Sequence, residues 1–186
     1  MKISKAIAAA VGFAFAPTVA SAAIIGGTYY APQYDWSEFF AAADHHDFHV
    51  VLAGNPFPGS DMGATARDLL PAMQAAKPRP ALTFAYDLAA ATDQPDYRLV
   101  LVFDPARDLG SKEVCNGISR FEPGRLGRFY AYAVYCRNNV PMSETTAWTS
   151  ALSSNDPRIE RLFRELVVWP DSHAMKPQVG EGTNRR

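Results

Sequence analysis

The chain has 186 residues, 48% of them hydrophobic, and a formal net charge of -1 at pH 7. This length suits a single globular domain with a substantial core better than several domains. A charge so close to zero excludes the recruitment of nucleic acid by bulk electrostatics, so we expect no nucleic-acid partner.

The first 22 residues have the pattern of a secretory signal peptide. Lys2 and Lys5 form the positively charged n-region, residues 7–16 form the apolar h-region, and the small residues at 20–22 form a cleavage site. The apolar stretch is shorter than the roughly 20 residues that cross a bilayer, so it predicts no membrane span. We therefore expect cleavage after Ala22 and a periplasmic or secreted protein.

Composition divides the rest of the chain into three parts. Residues 23–33 are predicted to form a linker, residues 34–170 a single globular domain, and residues 171–186 a disordered tail. The tail contains too little apolar surface to order itself.

The first half of the domain has the patterns of two helices separated by a strand. Asp35 has the position of a helix cap, and apolar residues at helical spacing predict a helix that ends near Ala43. A compact apolar run at residues 48–53 predicts a buried strand. A second helix is predicted to begin at residues 60–61 and to kink or break at Pro71, because proline lacks an amide donor.

Four strand patterns follow in the second half. Residues 82–88 and 97–103 predict an antiparallel pair, and the second of these is apolar on both faces, as a central strand is. Glycine and proline mark residues 104–127 as a loop. Residues 128–136 and 143–149 predict a hairpin.

The last helix has the clearest signals, in its capping residues and in its apolar periodicity. Asp156 has the position of its cap and Pro157 that of its first residue. An apolar stripe continues through the helix, formed by Ile159, Leu162, Phe163, Leu166 and Val167. Together these elements predict an α+β fold with a mixed, largely antiparallel sheet of four to five strands, and two to three helices packed on one face.

Three short segments resemble small exported proteobacterial proteins of uncharacterised families. They are the Asn-Pro-Phe at residues 55–57, the Ala-Met-Gln at residues 72–74, and residues 95–100. This resemblance implies a location in the cell envelope and no particular activity.

The chain has two cysteines, Cys115 and Cys136. In an oxidising compartment an even pair predicts a disulfide, although free thiols or soft-metal ligands are the alternative. Their separation excludes a C-x-x-C redox motif.

A histidine cluster is the sharpest candidate for chemistry. His45, His46 and His49 lie among aspartates, and imidazole with carboxylate is a ligand set for zinc, copper or nickel. The alternative is structural, because His45 and His46 would follow a helix whose last carbonyls favour a donor or cationic side chain. A transition metal at this cluster is therefore one hypothesis, and otherwise no cofactor is expected.

The loop before the hairpin combines cations with aromatic residues. Arg120, Arg125, Arg128 and Tyr130 are typical of a docking surface for an acidic partner or an envelope polymer. They also resemble an RNA-binding strand superficially, which export argues against.

No motif of nucleophilic catalysis accompanies these candidates. The sequence lacks G-x-S-x-G, and its cysteines are predicted to be oxidised. We therefore expect no catalytic residues and predict an exported, non-catalytic module that binds an envelope protein or polymer. Metal binding through the histidines is the alternative, and a small exported hydrolase is a third class.

Overall fold

The structure is a computed structural model that describes residues 23–77, 81–86 and 96–166. The predicted signal peptide and tail lie outside these ranges. Within them the chain forms seven strands and four helices. The strands are β1 (Ile24–Ile25), β2 (Tyr29–Tyr30), β3 (Asp47–Ala53), β4 (Thr83–Ala85), β5 (Tyr97–Phe103), β6 (Phe129–Arg137) and β7 (Val140–Thr149). The helices are α1 (Trp36–Ala43), α2 (Met62–Ala75), α3 (Ser111–Cys115) and α4 (Pro157–Glu165).

All described strands belong to one mixed sheet with the order β1-β7-β6-β5-β3-β4, and β2 also pairs with β7. This confirms an α+β fold but corrects the predicted size, since the sheet has seven strands. The two additional strands, β1 and β2, come from residues 23–33, which were predicted to be a linker. Strands of two residues are too short to produce an alternating pattern, so the sequence does not reveal them.

The predicted antiparallel pairing of residues 82–88 with 97–103 is wrong. β3 lies between β4 and β5 and runs parallel to both. The crossover from β3 to β4 passes through α2, and a helical connection of this length returns the chain in the parallel sense. The hairpin of β6 and β7 is antiparallel, and its turn contains Asn138 at a φ of 51°.

One face of the sheet, here called the core face, carries the main core with α1, α2 and α4 against it. Phe39 of α1 packs edge-on against Phe48 and Tyr135, with ring centroids 5.8 Å and 5.5 Å apart. The other helices bury apolar residues against the same face, including Leu69, Met73, Ile159, Leu162 and Phe163. This packing fixes the positions of the strands that carry the site.

The opposite face, here called the loop face, is partly covered by residues 104–127, here called the anchored loop. Its residues Leu109 and Val114 pack on Val100, Val102 and Val134. The loop contains α3, so the prediction of helices on one face only is wrong. A helix of five residues is too short to show helical periodicity, which is why the sequence predicts only a loop here.

The predicted helix caps are present, and the predicted break in α2 is not. Asp61 caps α2, its carboxylate accepting from the Ala64 amide at 2.9 Å, and Asp156 caps α4 in the same way. α2 continues through Pro71, whose ring lies on the exposed side of the helix. Within the described ranges, no helix has the length and apolar character needed to cross a bilayer.

Candidate binding pocket

A disulfide between Cys115 and Cys136 attaches the anchored loop to the sheet. This pairing confirms the prediction, and both cysteines are fully buried at the end of α3 and near the end of β6. Arg98 of β5 adds a second attachment, because its guanidinium donates to the Cys115 carbonyl at 2.5 Å. The loop is therefore held firmly over one part of the loop face.

A polar pocket of about 420 Å³ lies where the anchored loop meets the sheet. The loop side contributes Arg107, Leu109, Glu122 and Arg125. Arg128, which directly precedes β6, also lines the pocket. The sheet side contributes Tyr130 and Tyr132 from β6 and Thr146 from β7. Alternate residues of a strand share a face, which is how these three side chains reach the same pocket.

Arg128 is fixed by a buried partner. Its guanidinium donates a short hydrogen bond to Asp104, which directly follows β5 and is only 2% exposed. The same guanidinium lies over the ring of Tyr130, 5.2 Å from the ring centroid. Arg128 is thus held between a buried carboxylate and an aromatic ring at the wall of the pocket.

The two other arginines of the pocket are much freer. Arg125 forms an exposed ion pair with Glu122, at 3.4 Å, and no other ion pair within the described part of the chain. Arg107 is exposed and forms no ion pair with any residue that the structure describes. The pocket therefore offers guanidinium groups whose hydrogen-bond donors are open to a ligand.

Hydroxyl groups line the sheet side of the pocket, and an indole lies beside it. Tyr132 donates to Glu144 at 2.5 Å, and burial, with this hydrogen bond as a smaller cause, raises the pKa of Tyr132 well above its usual range. Trp148 lies directly across from Tyr130 in the β6–β7 register and is 39% exposed. Thr146 occupies the same face of β7, two residues before Trp148.

Three of the four residues predicted to bind a partner line this pocket, namely Arg125, Arg128 and Tyr130. Arg120 is engaged elsewhere in the anchored loop. Its guanidinium contacts Asp108 at 2.7 Å and Glu113 at 3.0 Å, both near the surface. Arg120 therefore stabilises the shape of the loop and does not line the pocket.

The three clustered histidines occupy different environments. The His45 side chain is 82% exposed and its residue has a φ of 60° after the end of α1. His46 is half-buried, whereas His49 is 8% exposed on β3. Burial, and secondarily the charge of Arg98, lowers the pKa of His49. Among the described residues, no group of three or more His, Cys, Asp or Glu side chains is placed to hold a metal ion.

Sequence reasoning missed Asp104, Arg107, Thr146 and Trp148 as parts of this region. Their proximity depends on strand register and on the path of the anchored loop, neither of which a linear pattern contains. Only the alternation along residues 143–149 carried a signal, since it places Thr146 and Trp148 on one face. Comparisons with protein families, curated proteins and solved structures give no match for this chain.

Proposed function

We propose that this protein is an exported, non-catalytic module that binds another component of the cell envelope through the pocket beside the anchored loop. The observation that carries the proposal is the convergence of Arg107, Arg125 and Arg128 with Tyr130 on one polar pocket of about 420 Å³. This volume lies within the range of roughly 300–1,000 Å³ that is typical of ligand pockets.

The chemistry of the pocket suits binding better than proton transfer. Arginine keeps its proton at all physiological pH values, so guanidinium groups donate hydrogen bonds and do not act as acids or bases. Burial raises the pKa of Tyr132, so its phenol stays protonated. These groups can hold an anionic or hydroxylated ligand in a fixed orientation without reacting with it.

Two observations support an envelope location. The first 22 residues have the charge and apolar pattern of a signal peptide. The buried disulfide is a bond that persists in oxidising compartments outside the cytoplasm. The resemblance to small exported proteins implies the same location.

Photo-crosslinking in the native host tests the proposal. A photoreactive phenylalanine analogue would replace Tyr130 in the pocket. In a control variant the same analogue would replace Phe40, which is 40% exposed on α1, on the other side of the sheet. We expect a discrete adduct from position 130 and none from position 40. Adducts from position 40 alone would contradict the proposed site.

A further inference from the structure

The charge balance of the pocket indicates that its ligand carries a negative charge. Arg128 is neutralised by Asp104, and Arg125 is partly neutralised by Glu122. Arg107 has no counterion among the described residues, although it lines the same cavity. Ligand carboxylates match the planar fork of a guanidinium group, so a ligand with one such group would complete the pocket.

An apolar strip of two aromatic residues and one isoleucine borders the pocket on the loop face. Tyr130, Trp148 and Ile24 lie side by side on β6, β7 and β1, because Trp148 is the register partner of both others. Trp148 is 39% exposed and Ile24 is 46% exposed, so the strip is open to solvent. The electron-rich face of an indole packs well against C–H groups that carry a small positive charge, as on one side of a sugar ring.

The size and lining of the cavity narrow the class of ligand further. A protein partner would need a contact of about 800 Å² on each side, whereas this cavity is small and concave. A purely apolar ligand would offer no acceptor to the guanidinium of Arg107 or to the hydroxyl of Thr146, which is costly. A hydroxylated ring with a carboxylate satisfies both the cations and the apolar strip.

We infer that the pocket binds a carboxylated sugar, with its carboxylate on Arg107 and its ring against Trp148. The inference rests on the proposed function and adds the chemical class of the ligand. Hydroxyl groups of the sugar would reach Thr146 and the guanidinium of Arg125. The acidic saccharides of an envelope polymer present this combination of ring and charge.

Calorimetric titration of the exported protein, with its disulfide intact, tests the inference. The probes are a trigalacturonate, its methyl ester, which lacks the charge, and a triglutamate peptide, which has the charge but no ring. We expect the trigalacturonate to bind at least about 10-fold more tightly than either, as loss of one charge-assisted hydrogen bond implies. Arg107→Ala and Trp148→Ala should each weaken its binding by a similar factor, and Arg161→Ala on the exposed surface of α4 should leave it unchanged.

The results separate the inference from the proposed function. Equal binding of the ester, or no binding of the trigalacturonate, would overturn the carboxylated sugar. Binding of the peptide alone, lost in Arg107→Ala, would overturn the sugar while leaving the pocket as the binding site. Arg107 and Trp148 are surface residues, so their replacement is compatible with folding, which circular dichroism checks.

Discussion

Asp104 is the residue on which the geometry of the pocket most depends. It is charged, only 2% exposed, and has a φ of 45°, a left-handed conformation that asparagine and aspartate tolerate best. Among the residues that the structure describes, one of its carboxylate oxygens has no hydrogen-bond partner, and neither has Nε of Arg128. Such an arrangement persists only where surrounding structure enforces it, here the end of β5 and the start of β6.

Removal of the charge of Asp104 should destabilise the protein. Asp104→Asn keeps the size of the side chain and tolerates the same φ, but it leaves the Arg128 guanidinium without a counterion. Loss of one partner of a fully buried pair costs about 3–5 kcal/mol. Because the Arg128 side chain is 34% exposed, we expect about 1–3 kcal/mol, which urea unfolding would measure. Asp108→Asn, in the same loop but exposed, is the control and should change little. Equal effects of the two substitutions would show that burial of the pair is unimportant.

Glu38 should make the stability depend on pH in the acid range. Hydrogen bonds from Arg137 and then from Tyr97 lower the pKa of Glu38 below its usual 4.5. Its contribution is therefore complete above the usual pKa and is lost as the pH falls through the lower, folded value. Glu38→Gln should lower the unfolding free energy at pH 7, and its difference from the wild type should shrink as the pH falls below 4.5.

Unfolding of the wild type and the Glu38→Gln variant at two pH values, one at pH 7 and one well below 4.5, checks this prediction. The same substitution at Glu160, in an exposed i,i+4 pair with Arg164, is the control and should be nearly silent. A constant difference between the wild type and Glu38→Gln at both pH values would contradict the assigned cause.

At the scale of elements, the disulfide connects α3 to β6 and closes a loop with a sequence separation of 21. Replacing both cysteines by alanine should lower the unfolding free energy by about 3 kcal/mol, the chain-entropy value for this length. Trypsin should also cut faster at Arg125, because the anchored loop loses its link to the sheet. Unchanged stability and cleavage would mean that packing alone holds the loop.

The contact between the anchored loop and the loop after β3 should not tolerate a larger residue at Gly124. A Cβ atom there would lie 2.4 Å from the Asn55 carbonyl oxygen and 2.9 Å from backbone atoms of Pro56. Gly124→Ala should therefore destabilise the protein by about 1–3 kcal/mol and weaken binding in the pocket. Gly59→Ala has open space around it and is the matched control in thermal unfolding. Identical midpoints for the two variants would argue against this contact.

At the scale of the whole molecule, the sequence predicts elements that carry their own local signals. Asp156 and Pro157 define the start of α4, and its apolar stripe defines the buried face. The strand at residues 97–103 is apolar on both faces and is indeed central. By contrast, β1, β2 and α3 have only two to five residues each, too few for a periodic pattern.

The candidate site is predictable only in part for the same reason. Arg128 and Tyr130 are close in sequence, so a linear pattern of cations and aromatic residues brings them to attention. Trp148 lies beside Tyr130 because of the strand register. Arg107 reaches the pocket because of the path of the anchored loop. These are long-range relations that depend on which strands pair, and the pairing of β4 and β5 was the part that local patterns predicted wrongly.

Sedimentation of the protein with isolated envelope material tests the central claim most directly. The pocket variant is Arg107→Glu with Arg125→Glu, and the matched variant is Arg161→Glu with Arg164→Glu on α4, beyond the opposite face of the sheet. Both lose the same charge, so a difference between them reports the location of binding. We predict that the wild type and the α4 variant sediment with the envelope and that the pocket variant stays in solution. Sedimentation of the pocket variant at the wild-type level would contradict the assignment of the pocket as the binding site.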